Sequence, residues 1–421
     1  MTAQDMLSLE DARSLVTGRM RPMPVERTGV LEAVGRVCAR EVRSDMDVSP
    51  FAHSAMDGFA LRAGEVAGAS EDAPVTLKVA GAIGAGDVFD GAIGAGECVR
   101  IMTGACLPSD ADSVVKYEVV DYLGGDGGPG SQVAFAAPTK VGSNVRPAGE
   151  EAKAGEVVVR PGEVISCAGV GYLASCGALE VDVHARPRVA VMATGSELVP
   201  PSEVPGPGHI RESNAYAIAA CIKAAGAEPA MLPIVRDDYD ALAQAVVSAA
   251  KEYDFVITTG GAANGDFDFI KKVVENEGEL LMTLVNMRPG KAQTFGIVGG
   301  TPVFGLPGNP AAAYCGFEMI VRPALRRMQG FAHLQHPSVK ARLTCDMKKR
   351  DPRRILLRST LMKAANGEDF EVTPAKNQSS GLFGVIQRSN CMAVLPEGLE
   401  SKQAGDEVEC ILLDVPEEIE L

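Results

Sequence analysis

Several features that mark secreted, membrane-bound or nucleic-acid-binding proteins are missing from this sequence. It has no run of ~18 uncharged apolar residues, so no transmembrane helix is expected. Its start, MTAQDMLSLEDARSLV, is acidic and amphipathic, without the basic segment ahead of an apolar run that a signal peptide requires. The ten cysteines are scattered, with no CxxC pair and no histidine at ligand spacing, which predicts reduced, mostly buried thiols in a cytoplasmic protein. The five histidines are dispersed, and His333-x-x-His336 reads as surface rather than as a metal site. No GxxxxGK(S/T) occurs, and no GxGxxG follows a strand, so neither a P-loop nor a Rossmann dinucleotide site is expected. Excess basic charge is absent too: the formal charge is -15 over 421 residues. That balance excludes the broad basic surface needed to displace counterions from nucleic acid.

A small anionic ligand survives these exclusions. Net charge is screened over about 8 Å at physiological salt, whereas one hydrogen bond to a charged group contributes roughly 1.5–3 kcal/mol. A local cluster of donors can therefore outweigh the global sign.

The length suggests about two to four domains. Residues 9–45 carry helical periodicity through Leu9, Ala12, Leu15 and Val16, then Val30, Leu31, Val34 and Val37. From Ser44 to Pro147 the texture changes to short β-like runs between Gly and Pro turns. GAIGAGD (81–87) and GAIGAGE (91–97) form a repeat that reads as two tandem hairpin turns. From Arg188 strands and helices alternate: VAVMATG, then a helix over 213–227 capped by Ser213, then PAMLPIV, YDALAQAVVSAAKEY, DFVITTGG, DFIKKVVENEG and LLMTLVNM. A long helix is expected over about 310–329. After His336 the texture returns to β. The expected fold class is α/β plus β: a central doubly wound α/β domain (187–332), a β-rich N-terminal insertion domain (46–147), a linker domain (1–45 with 148–186) and a small C-terminal β-barrel-like domain (333–421).

Ligands of open α/β sheets bind beyond the carboxyl ends of the strands, and the loops predicted there are rich in chemistry. TGSEL carries Glu197, RDD carries Asp237 and Asp238, and TTGGAANGDFD carries Asp266 and Asp268. MRPGK carries Arg288 and Lys291. In GLPGNP, Gly308 clears the approach, and Asn309 ahead of Pro310 predicts a helix start with free amides for an anion. Glycines 260, 261 and 265 would let backbone N–H groups face a phosphate. Among these cations, the carboxylates are intelligible if a hard divalent ion sits between them and the anion, and oxygen-only ligands point to Mg²⁺. Asp266 is equally placed to cap the helix that follows it.

In order, LEAVGRVCAREVRS, SPFAHSAMDGFALR, VRIMTGACLPSDADSVVKYE, VRPAGEEAKAGEVV, ATGSEL, TTGGAANGD, MRPGKAQTFG and GLPGNP resemble the molybdopterin molybdenumtransferase family, and the gephyrin C-terminal region is similar. The resemblance covers essentially the whole chain, and SAMDGFA followed by RIMTGA is its most specific part. It implies an elongated homodimer whose active site lies between the α/β domain of one subunit and the SAMDGFA/RIMTGA domain of the other. The activity it implies is insertion of molybdenum from molybdate into adenylylated molybdopterin, with Mg²⁺ assisting release of AMP. It further implies partners among molybdopterin adenylyltransferases and cofactor-accepting enzymes.

By position, the resemblance makes Asp57, Thr103, Glu197 and Asp268 catalytic. It makes Glu197, Asp237, Asp238, Asp266 and Asp268 the metal-side set. Gly260, Gly261, Asn264, Gly265, Arg288, Lys291, Gly308, Asn309, Arg146, Arg353 and Ser380 become cofactor-binding, with Arg353 and Ser380 toward molybdate. RDPRR (350–354) also reads as a basic surface hairpin. Departures from the family pattern gather on the cofactor rim: Ala263 and Asn264 for Ser and Val, Arg288 for Lys, Ala292 for Pro, Ala312 for Ser, and Glu151 for Asp. A paralogue that handles tungstate, or a molybdopterin-binding scaffold with little turnover, is the alternative function.

Overall fold

The computed structural model describes residues 6–260, 269–364, 367 and 369–413. The chain divides into two compact units, one of residues 1–26, 35–39 and 183–421, the other of residues 27–34 and 40–182.

In the larger unit, a seven-stranded sheet runs in the order Met6–Leu7, Gly278–Val285, Ala292–Val298, Thr301–Leu306, Phe255–Thr259, Arg188–Ala193, Glu228–Met231. The last four pair in parallel. Both faces of the sheet are covered: Val189, Val191 and Ile257 point into one core cluster, Ala190, Met192 and Val256 into another. That accounts for the near-continuous apolar runs of these strands.

The sheet is mixed, where alternation predicted a parallel one. Gly278–Val285 and Thr301–Leu306 both run antiparallel to Ala292–Val298, a strand absent from the sequence reading. The missed signal is Gly299–Gly300. Val298 pairs with Thr301 across them, and their φ angles of 58° and 91° suit a two-residue hairpin turn.

Helical periodicity over 9–45 also overreached. The helix is Leu9–Gly18, capped by Ser8, and Pro22 and Pro24 break the pattern before the strand Val25–Gly29. Ser213 occupies the N-cap position of the helix Asn214–Ala224 but makes no cap bond with its side chain. Glu212 takes that role, its Oε1 accepting from the Ala215 amide at 2.6 Å.

The expected long helix is present as Pro310–Gly316, a π-helical stretch Phe317–Val321, and Arg322–Met328. Pro323 has no N–H for the carbonyl four residues back, and the π-turn sits just before it. That carbonyl, Met319 O, accepts from Arg13 Nε at 3.0 Å instead, so the first helix is tied to the π-helical stretch. His336 is half-buried rather than on the open surface, and its Nε2 meets Glu318 Oε2 at 2.6 Å.

Five strands after residue 337 close into a barrel: Ser338–Leu343, Arg354–Lys363, Phe370–Pro374, Cys391–Leu395 and Glu407–Leu412. Met287–Arg288, which leaves the α/β sheet after Val285, adds a parallel edge to this barrel opposite Arg354 and Ile355. Leu357, Leu361, Ala393 and Leu395 fill the barrel, while Leu356, Met392 and Val394 point outward into the α/β core.

In the second unit, a six-stranded sheet runs Ser113–Lys116, Gly58–Leu61, Glu97–Ile101, Val75–Ile83, Gln132–Phe135, Val120–Gly124. Phe59 and Phe135 meet edge to face in its core. The GAIGAG repeat forms two like turns in which an acid closes onto a glycine amide, Asp87 Oδ2 on Gly84 N and Glu97 Oε2 on Gly94 N, each at 3.0 Å. They lie on a connection between parallel strands, 75–83 and 97–101, so they are not the tandem hairpins expected.

None of the ten cysteines forms a disulfide, and no helix among the described residues is long and apolar enough to cross a membrane.

Arg13→Leu is expected to lower stability by about 1–3 kcal/mol, because the Met319 carbonyl would lose this charged donor. Urea unfolding measures this, and an unchanged midpoint would rule out that role for Arg13.

Candidate active site

The carboxyl ends of the α/β strands and the near side of the barrel enclose a cavity of about 970 Å³. Its floor is set by Gly260 at the end of Phe255–Thr259. This residue has φ +90°, and a Cβ here would lie 2.2 Å from Thr194 O, so only glycine fits. Its amide donates to Leu306 O at 3.1 Å and is therefore not turned to a ligand. Gly261, Ala263, Asn264, Gly265, Asp266 and Asp268 lie outside the described residues.

Among the described residues, two carboxylates line the cavity, Glu197 and Asp237. Asp237 Oδ2 accepts from Ser196 N at 2.9 Å, while Ser196 Oγ accepts from Asp237 N at 3.2 Å, which locks the two loops together. Asp238 is engaged elsewhere: it caps the helix Tyr239–Glu252, its Oδ1 accepting from Ala241 N at 2.8 Å. Of the RDD pair, then, Asp237 is the one that reaches the cavity.

Against these two acids stand six cations: Arg288, Lys291, Lys348, Arg350, Arg353 and Arg358. No ion pair involves Lys291, Lys348, Arg350 or Arg358 among the described residues. Arg353 is held from behind. Its Nε meets Asp351 Oδ1 at 2.9 Å, its Nη2 meets Asp351 Oδ2 at 2.5 Å, and its Nη1 meets Met287 O at 3.4 Å. RDPRR thus forms part of the cavity wall rather than a free surface hairpin.

Sequence reasoning missed Arg358. Its side chain is only 2% exposed as a residue, its Nε has no partner, and its Nη atoms reach only the Leu356 and Ser379 carbonyls, both at 3.3 Å. Burial lowers its pKa. Its position within an apolar strand, RILLRSTLM, was the available signal, because an arginine there is expensive unless something charged meets it.

The helix at Pro310 differs from expectation. Asn309 is the N-cap residue, but its side chain makes no cap bond, and the first amides are already taken. Ala311 N donates to Ser380 O at 2.8 Å and Ala312 N to Asn309 O at 3.0 Å. The turn carrying Ser380 thus sits on the helix start, where a free anion site was predicted. Gly308, Asn309 and Ser380 still line the cavity, as does the Ala312 methyl.

On the second unit, Asp57 Oδ1 accepts from both the amide and the hydroxyl of Thr103, each at 2.7 Å. These bonds, the backbone one foremost, hold the Asp57 carboxyl below its ordinary range. Gly58 follows because a Cβ there would lie 2.1 Å from Val115 O. Arg146 pairs with Glu150 at 3.1 Å, both exposed, and Glu151 is exposed.

Family models match the chain in three consecutive parts: the MoeA N-terminal region (domain I and II) over residues 7–177, a probable molybdopterin binding domain over 190–327, and the MoeA C-terminal region (domain IV) over 340–413. These three matches follow one another from residue 7 to residue 413. The molybdopterin molybdenumtransferase of Staphylococcus aureus (strain COL) is 36% identical over 411 residues, 97% of this chain and 96% of that protein. That of Staphylococcus epidermidis (strain ATCC 12228) is 35% identical over 388 residues, 91% of this chain and 90% of that protein. A solved molybdopterin biosynthesis MoeA protein from Pyrococcus horikoshii superposes with a TM-score of 0.81 at 31% identity, covering 97% of this chain and 99% of that one. The chain belongs to the molybdopterin molybdenumtransferase family and is an enzyme of the transferase class.

Removing one partner of a buried ion pair costs about 3–5 kcal/mol. Arg358 has no such partner, so Arg358→Met is expected to leave ligand-free stability within about 1 kcal/mol of wild type or to raise it. A loss of pair-breaking size in urea unfolding would refute the description of Arg358 as an uncompensated charge.

Proposed function

We propose that the protein inserts molybdenum from molybdate into adenylylated molybdopterin and releases AMP, in molybdenum cofactor biosynthesis. The observation that carries this is the cation-rich lining of the cavity: among the described residues, six cations and two carboxylates on a chain of formal charge -15. Such an enclosure concentrates a multiply charged anion, and its volume suits a nucleotide-sized ligand.

Roles divide by element. Lys291, on the loop that joins the barrel edge, holds phosphate oxygens, and Arg288, on the same loop, reaches from them toward the oxyanion. Arg353, Arg358 and Ser380, on the barrel side, hold the tetrahedral oxyanion. Glu197 and Asp237 offer only oxygen donors, which fits Mg²⁺. They would hold it together with Asp266 and Asp268. When bound, the ion neutralises charge at the pyrophosphate. A protein that merely stored an anionic cofactor would have no use for carboxylates facing it, which favours turnover.

The Asp57–Thr103 pair belongs, in this reading, to the site of a second copy, making a homodimer with shared sites. Molybdopterin adenylyltransferases and cofactor-accepting enzymes are its partners in delivery, and its cysteines, none in a disulfide, suit the cytoplasm.

Incubation with adenylylated molybdopterin, molybdate and Mg²⁺ should release AMP. Binding without AMP at any molybdate concentration would sink the proposal, and AMP with tungstate alone would redirect it to that metal. Lys291→Ala should lower kcat/KM by about 10- to 100-fold, the worth of one charge-assisted hydrogen bond. An unaltered value would remove Lys291 from the site. Asp57→Asn and Lys291→Ala should each be impaired as separate dimers yet regain activity when unfolded and refolded together. No recovery, or a monomer by light scattering, would rule out the shared site.

A further inference from the structure

Asp351 lies behind the cavity wall and between two of its cations. It receives Arg353 through both carboxylate oxygens and through the Arg353 amide at 3.0 Å, and it receives Arg288 Nη1 on Oδ2 at 3.2 Å. Its side chain is 13% exposed, against 56% for Arg288. The two arginines come from distant parts of the chain and from different domains of the larger unit. Only the short parallel pairing of Met287–Arg288 with Arg354–Ile355 brings their backbones together. A lysine at 288 would give Asp351 a single rotatable point charge, whereas the arginine fork can meet the carboxylate and still present its remaining N–H groups to the cavity.

We propose that Asp351 is a positioning residue that clamps Arg288 and Arg353 into one oriented pair, so that their free N–H groups converge on a tetrahedral oxyanion. The proposal rests on the oxyanion reading of the cavity given above. Two guanidiniums in close proximity repel, and each has many rotamers. A shared carboxylate removes the repulsion and fixes both planes before the ligand arrives. Asp351 remains ionised throughout the working range, since hydrogen bonds from Arg353, reinforced by Arg288, hold its carboxyl well below the usual carboxylate range.

The role can be separated from mere charge balance by the sign of one effect. Asp351→Asn removes a negative charge from a cation-rich wall. If charge alone mattered, oxyanions would bind more tightly. If position matters, they bind more weakly despite the added positive charge.

Molybdate alone is titrated into the full-length protein by calorimetry at low and near-physiological ionic strength, for wild type, Asp351→Asn and Asp351→Glu. Thermal unfolding checks that each variant is folded. The expected result is affinity about tenfold weaker or worse for Asp351→Asn. Asp351→Glu, which keeps the charge but shifts it by one methylene, should fall between Asp351→Asn and wild type. Equal or tighter binding by Asp351→Asn overturns the proposal. If Asp351→Asn does not fold, Asp351→Glu decides alone: wild-type affinity overturns the proposal, and weaker binding supports it. Failure of the wild-type protein to bind molybdate overturns the oxyanion reading itself, and the clamp with it, and is read on the wild-type arm alone.

Discussion

The pairing of Met287–Arg288 with the barrel strand that begins at Arg354 is the contact on which the cavity depends. Without it the α/β sheet would supply acids and glycines, the barrel would supply arginines and Ser380, and the loop carrying Arg288 and Lys291 would not be pinned to the barrel. Apolar packing supports the graft. Leu356, Met392 and Val394 leave the barrel wall to join the α/β core, so the two domains share one hydrophobic interior. Buried Gln293 props the loop between them, donating to Gly290 O at 3.0 Å, and Gly316 makes room for it, since a Cβ there would come within 2.5 Å of its amide.

Much of this architecture was legible because the relevant physics is local. Strand–helix alternation from Arg188 reflects burial on both faces of a sheet, and the loops at the strand ends follow from that. What escaped was long-range or competitive. The antiparallel strand Ala292–Val298 is announced only by two glycines. Asp237 and Asp238 are indistinguishable as neighbours until a helix claims one of them as its cap. The first amides of the helix at Pro310 looked free because Ser380, their competitor, lies about seventy positions away. Arg358 looked like an ordinary strand residue, because its isolation from carboxylates is a property of three dimensions.

The electrostatics operate at two ranges. Over distances longer than about 8 Å at physiological salt the acidic exterior is screened, but it still disfavours polyanions at close approach. Among the described residues, six cations line a recess of about 970 Å³. The low pI is therefore compatible with a locally cation-rich site.

The bond from Arg13 to Met319 spans 306 positions, and Met6–Leu7 pair with Leu284 and Val285. At about 5–20 residues per second of translation, the N-terminal helix emerges roughly 15–60 s before its partners exist. In that interval the whole of the second unit is made, with its own sheet and its own core. The earliest helix to leave the ribosome is thus among the last to be seated, and its apolar face, Leu9, Ala12 and Val16, waits in water while an inserted domain folds between it and its place.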